Sequence, residues 1–143
     1  MEPFPFSLSL ETFKQEVKFM KHELRMDTEN EILVFQIIGD YTTEEARESE
    51  ALFKKELGES SPFRQLLVDL SKAGPMESRE TRKVQNDSMV KAGITDTAFV
   101  GATAATRMIA KVMIKLSSET IPTQFFAATD EAINWLKNQR GRK

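Results

Sequence analysis

A single histidine, a strand-end aspartate and two groups of hydroxyl and cationic residues are what this 143-residue chain offers to chemistry. Asp69 lies near the carboxyl end of the short apolar strand Gln65-Leu-Leu-Val-Asp-Leu, and ligands of open α/β sheets gather beyond such ends. It is either a site carboxylate or the anchor of the loop that opens with Ser71. Further on, Glu77-Ser78-Arg79 stands where a helix should begin. The Ser78 hydroxyl there suits an N-cap, or a phosphoryl acceptor gaining about −1.5 to −2 charge. Glu77 and Glu80 would repel that charge, and Arg79 and Arg82 would compensate it. Gly101, Thr103, Thr106 and Arg107 surround the start of another helix, where free N–H groups and the macrodipole favour an anion. A tight turn capped by Thr103 accounts for the same residues.

Other chemistries find no support. The chain lacks the Gly-x-x-x-x-Gly-Lys-Ser/Thr and Gly-x-Gly-x-x-Gly spacings of nucleotide loops. Having no cysteine, it has no disulfide, thiolate nucleophile or Cys-bound metal. His22 falls in an expected strand with Glu23 on the opposite face, so neither a metal site nor a Ser-His-Asp arrangement assembles around it, and no Gly-x-Ser-x-Gly elbow exists. The reading is therefore non-enzymatic, with no catalytic residue, metal or cofactor. A net charge of −2, from 20 basic and 22 acidic side chains, supplies no field for nucleic acid. No apolar run approaches the ~20 residues of a membrane span, and the N-terminus lacks a signal-peptide pattern, which fits a cytoplasmic protein.

The elements that would position these residues follow from periodicity. Leu10, Phe13, Val17 and Met20 fall on one helical face behind Ser9, although Val17 and Phe19 also alternate as in a strand. Residues 21–38 read as a β-hairpin turning at Asp27-Thr-Glu-Asn, with its second arm covered on both faces. Thr42-x-x-Glu45 has capping-box spacing, and Ala46, Ser49, Phe53 and Leu57 recur helically up to Gly58. Glu44, Glu45, Glu48 and Glu50 read as a solvated face, with Glu50 and Lys54 paired. After the strand holding Asp69, residues 76–92 fit a thinly apolar helix facing inward through Thr81, Val84, Ser88 and Ala92.

A strand over 98–101, a helix over 103–117, a strand over 121–127 and a helix capped by Thr129, with Ala132, Trp135 and Leu136 inward, complete the order. In the 103–117 helix, Met108 and Met113 with Ile109, Val112 and Leu116 make a wide apolar stripe. It suits core packing, a ligand groove or a subunit interface, a homodimer included.

With these elements in order, four stretches resemble the STAS superfamily (sulphate transporter and anti-sigma factor antagonist), in its SpoIIAA-like branch. They are Glu31-Ile-Leu-Val-Phe-Gln-Ile-Ile-Gly-Asp-Tyr-Thr-Thr-Glu-Glu-Ala, Leu67-Val-Asp-Leu-Ser, Phe99-Val-Gly-Ala-Thr-Ala-Ala-Thr-Arg-Met-Ile-Ala-Lys and Phe125-Phe-Ala-Ala-Thr-Asp-Glu-Ala-Ile-Asn-Trp-Leu. In anti-sigma factor antagonists of this superfamily, an Asp-Ser-Ser-Gly motif is phosphorylated at its first serine. Matching Asp69-Leu-Ser71 without gaps puts Ser78 at that serine and Glu77 in place of the aspartate, while Arg79-Glu80 replaces the final Ser-Gly.

The resemblance implies a single α/β STAS-like domain: a hairpin, then alternating helices and strands, forming a five-stranded mainly parallel sheet flanked by four helices. The domain spans 21–139, after an N-terminal extension over 1–20 and before a basic tail over 140–143. The expected function is regulation through an unknown protein partner at the 71–82 surface, with a phospho-switch at Ser78. The alternative is a carrier of a small anionic or lipid-like ligand beside Gly101, Thr103, Thr106, Arg107, Met108 and Met113.

Overall fold

The computed structural model describes residues 16–19, 21–58, 62–74, 79–102 and 121–141. Its elements are β1 (Glu16–Phe19), β2 (His22–Asp27), β3 (Ile32–Gly39), α1 (Thr43–Leu57), β4 (Gln65–Ala73), α2 (Arg79–Lys91), β5 (Asp96–Val100), β6 (Thr123–Phe126) and α3 (Thr129–Arg140). The strands form one sheet in chain order, β1-β2-β3-β4-β5-β6. β1–β2 and β2–β3 are antiparallel, and the three remaining pairings are parallel.

Parallel neighbours need crossovers, and right-handed crossovers in an unreversed strand order put their helices on one face. That face carries Leu24, Leu33, Phe35, Leu66, Val68 and Phe99, buried with Phe53 and Leu57 of α1 and Met89 of α2. Phe35 and Phe53 meet edge to face, their centroids 5.5 Å apart; truncating either to alanine should cost about 3–5 kcal/mol. The alternating residues Ile32, Leu67, Ala98 and Val100 point the other way and pack on Ala132 and Leu136 of α3. α3 thus covers the opposite face over β4, β5 and β6.

Several expectations change. The helix expected to reach Met20 is replaced by β1 over Glu16–Phe19, which pairs with β2 and adds a sixth strand. Pairing lets these residues take part in a ladder, and here strand alternation prevails over the helical spacing. The sheet is mixed rather than mainly parallel. Three helices are present among the described residues; the one expected over 103–117 lies outside them. Thr129 is the first residue of α3, not its cap, because the helix starts one residue earlier and Ala128 occupies that position without a side-chain bond. The second hairpin arm is not covered on both faces throughout, since Val34, Gln36 and Ile38 are only partly buried.

Candidate interaction surface at the carboxyl edge of the sheet

The carboxyl ends of β3, β4 and β5 converge around a bulge. Gln36 is paired with Asp69, but Ile38 is paired with Lys72, so β4 holds one more residue than β3 over this span. Such an extra residue breaks the ladder and bends the strand. The Ser71 N–H donates to Asp69 Oδ1 at 2.9 Å, and Gln36 Nε2 donates to Asp69 Oδ2 at 3.1 Å. Both carboxylate oxygens therefore hold the bulge together. Beyond it, the Gly74 N–H donates to the Gly39 carbonyl at 2.8 Å, joining the ends of β3 and β4. Lys21, Asp40, Ser71 and Lys72 are exposed along this rim, as are Arg79 and Glu80 at the start of α2.

A buried histidine supports the rim from beneath. Ladder pairing between β2 and β3 ends at Glu23 and Gln36, and the Ile38 N–H past that point donates to His22 Nδ1 at 2.9 Å. With Nδ1 an acceptor, the neutral ring carries its proton on Nε2, which donates to Glu45 Oε1 at 3.0 Å. The same Glu45 oxygen accepts the Thr42 N–H at 2.9 Å, while Thr42 Oγ1 accepts the Glu45 N–H. This reciprocal pair is the capping box of α1.

Lys21 Nζ stands 3.7 Å from Glu45 Oε2. Burial lowers the His22 pKa from 6.5, overcoming the opposing pull of Glu45. Burial pushes the Glu45 carboxyl up, but the Thr42 N–H, His22 and Lys21 outweigh it and hold the group below its ordinary 4.5.

α2 joins this edge through a polar seam with α1. The Tyr41 hydroxyl donates to Gln85 Oε1, and the Ser49 hydroxyl lies 3.2 Å from the same oxygen. Ser88 Oγ donates to the Ala46 carbonyl at 2.8 Å, and the Thr43 and Thr81 hydroxyls are 2.6 Å apart. Burial raises the Tyr41 pKa, keeping the phenol protonated as a donor. These bonds satisfy buried polar groups that would each cost about 1–3 kcal/mol if left unpaired.

The opposite, amino edge is a structural tether. Arg140 at the end of α3 donates to Gln65 Oε1 at 2.8 Å and to the Asn30 carbonyl at 2.6 Å, with its guanidinium 4.0 Å from the Phe63 ring centroid. A cavity of about 240 Å³ opens there between Phe63, Thr95, Asp96 and Arg140. It is smaller than the ~300–1,000 Å³ of ordinary small-molecule sites.

Of the residues singled out from the sequence, Asp69, Ser71 and Gly101 come together at the bulge, and Arg79 begins α2. Glu77, Ser78, Thr103, Thr106, Arg107, Met108 and Met113 lie outside the described residues. Glu45 is buried rather than part of a solvated face, because it serves the cap and His22 together. The Glu50–Lys54 pair forms at 3.0 Å. Sequence reasoning missed Gln85 and Met89, which are buried, whereas Val84 is only partly so. A repeat of Thr81, Gln85 and Ser88 at helical spacing was the available signal for a polar seam. Among the described residues no three His, Asp or Glu side chains converge as metal ligands. No described helix is long and apolar enough to cross a membrane.

Comparison with known proteins agrees with this architecture. The model of a domain of unknown function, DUF7793, matches residues 26–140. The chain belongs to that family. No curated protein matches it. Among solved structures, an uncharacterised DUF3478 family protein with a SpoIIAA-like fold from Shewanella loihica PV-4 is 17% identical. It aligns over 79% of this chain and 89% of its own, with a TM-score of 0.57. The anti-sigma factor antagonist SpoIIAA in its unphosphorylated form is 13% identical, over 81% of this chain and 97% of its own, with a TM-score of 0.51. The fold is SpoIIAA-like, as the four sequence stretches imply.

Proposed function

We propose that this chain is a non-enzymatic, cytoplasmic regulatory domain that presents the carboxyl edge of its sheet to a protein partner. The observation that supports this reading is the β4 bulge. Asp69 spends both oxygens on holding it, and the main chain of Gly74 is tied to that of Gly39. What the edge offers to a partner is thus a fixed main-chain rim bearing exposed Lys21, Asp40, Ser71, Lys72, Arg79 and Glu80. Mixed charges on a rigid rim favour orientation and specificity in protein association. A SpoIIAA-like fold is consistent with such a role, since one structure sharing it is an anti-sigma factor antagonist.

Ser78 is the proposed switch for partner binding. It directly precedes Arg79, where α2 begins, and a phosphoryl group there would add about −1.5 to −2 charge next to Glu80. Repulsion from Glu77 and Glu80 would weaken a partner contact that the unmodified serine permits. Cross-linking in the native host, with mass spectrometry of the modified sites, tests this. Wild type and Ser78→Ala should capture the same partner and Ser78→Asp should lose it. Uniformly unmodified protein, with capture indifferent to Ser78→Asp, would sink the switch. A co-purified small molecule in native mass spectrometry would replace partner binding with carriage of a ligand.

A further inference from the structure

The His22 ring is fully buried and bonded through both nitrogens to different elements, Nδ1 to the Ile38 N–H of β3 and Nε2 to Glu45 of α1. A neutral imidazole offers one donor and one acceptor, and this environment uses both. An imidazolium has two donors and no acceptor. A proton arriving from solvent at Nδ1 would place two N–H groups against each other at the Ile38 contact, while the Glu45 contact would survive as an ion pair.

Among the described residues, the charged and titratable groups about the ring are Glu45, Lys21 and Tyr41. Glu45 comes from α1, Lys21 lies 3.7 Å from Glu45 Oε2, and Tyr41 stands with its ring centroid 5.1 Å away. Phe35 of β3 contributes an uncharged edge contact at 6.0 Å. Tyr41 stays protonated through burial, so among the described residues the charge beside the ring comes from Glu45 and Lys21.

We propose that His22 is an acid-released latch on the carboxyl edge of the sheet. In its neutral form it ties the end of β3 to the cap of α1. Protonation breaks the tie to Ile38, and the loss passes through Gly39, whose carbonyl holds the Gly74 N–H, to the end of β4. The route runs from the His22–Ile38 hydrogen bond along the main chain to Gly39 and across the Gly39–Gly74 hydrogen bond, and measured coupling between its ends is what tests it. It deepens the reading of this edge as an interaction surface, yet its test reads the protein alone, so partner binding and the latch can fail separately.

His22 is the sole histidine, so its ring nitrogens can be followed without assignment ambiguity. Long-range ¹H–¹⁵N spectra of ¹⁵N-labelled wild type are recorded from neutral to acidic pH alongside the backbone amides. The expected result is the Nε2–H tautomer at neutral pH, a midpoint below 6.5, and Ile38 and Gly74 amides that shift and lose exchange protection at that same midpoint. A Nδ1–H tautomer, a midpoint at or above the ordinary value, or amides of Ile38 and Gly74 that ignore the titration would each overturn the latch. In Glu45→Gln, which keeps an oxygen acceptor for Nε2, the coupling to Gly74 should persist with the midpoint moved further down. A Glu45→Gln protein whose Gly74 amide no longer follows His22 would also overturn it.

Discussion

A Cβ on Gly101 would lie 2.9 Å from Asp69 Oδ1 and 3.1 Å from the Ser71 backbone nitrogen. The end of β5 can approach the β4 bulge this closely only because the residue there has no side chain. Its φ of 75° lies in the left-handed region as well, where other residues carry a strain of roughly 1–2 kcal/mol. The glycine is explained by backbone geometry and contact with the bulge, without calling on a bound anion.

Gly101→Ala should therefore destabilise the protein by about 2–4 kcal/mol, combining left-handed strain with displacement of the Asp69 carboxylate. Gly93 supplies the control. Its φ is 85°, but a Cβ there would meet nothing within 4 Å, so Gly93→Ala should cost only about 1 kcal/mol. Urea denaturation of the two variants measures the difference, and equal losses would show that the Asp69 contact is immaterial.

Tyr41 and Gln85 form the centre of the α1–α2 seam, both buried. Gln85→Leu should cost about 1–3 kcal/mol, because the Tyr41 hydroxyl loses its acceptor, whereas the Ser49 hydroxyl keeps the Ala46 carbonyl at 2.7 Å. Adding Tyr41→Phe to Gln85→Leu removes one stranded hydroxyl and should recover part of that loss. A double-mutant cycle by chemical denaturation would reveal the coupling; strict additivity would mean the bond contributes nothing beyond its parts.

Arg140 binds by shape as well as charge. Its guanidinium reaches the side chain of Gln65 and the carbonyls of Asn30 and Glu31 while stacking on Phe63. Lysine cannot reproduce this planar fork. Arg140→Lys should lose about 1–3 kcal/mol despite keeping the charge, and thermal or urea unfolding would measure it. A stability equal to wild type would reduce the tether to a simple charge effect.

How much of this was legible depended on how local each cause is. The Thr42-x-x-Glu45 spacing announces a capping box because both bonds form within one helical turn, and that box is present. The strands around Leu33, Leu66 and Phe99 show as apolar runs because burial selects composition directly. Glu45 could not show its second role, since His22 lies 23 residues away and no local pattern links them. The β4 bulge depends on how Gln36 and Ile38 pair across strands, a property of register rather than of any one segment. α2 read as thinly apolar because its buried face is Thr81, Gln85 and Ser88 with Met89, and polar groups enter a core only when partners on another element meet them. Asp69 read equally well as a site carboxylate or a loop anchor until both its oxygens were seen in use.

Acid should weaken the fold in two separable steps. A group whose pKa is lower in the folded state binds fewer protons there than in the unfolded chain, so stability falls as pH drops through the interval between the two values. For His22 that interval opens at 6.5 and runs down to its lowered folded value. For Glu45 it opens at 4.5 and ends at a lowered value of its own. Glu56 works in the opposite sense, because burial raises its pKa and lets the folded protein bind the proton first. Its gain falls above 4.5 and opposes the acid losses. Urea midpoints at about pH 7.5 and about pH 5.5 should therefore differ in wild type, with the lower pH less stable. Replacing the ring in His22→Gln should flatten that difference while leaving the fall below 4.5, which Glu45→Gln should in turn reduce. A wild-type midpoint that stays level between the two pH values would mean that His22 titrates alike in the folded and unfolded chains, and that its bond to Ile38 carries no preference for the neutral ring.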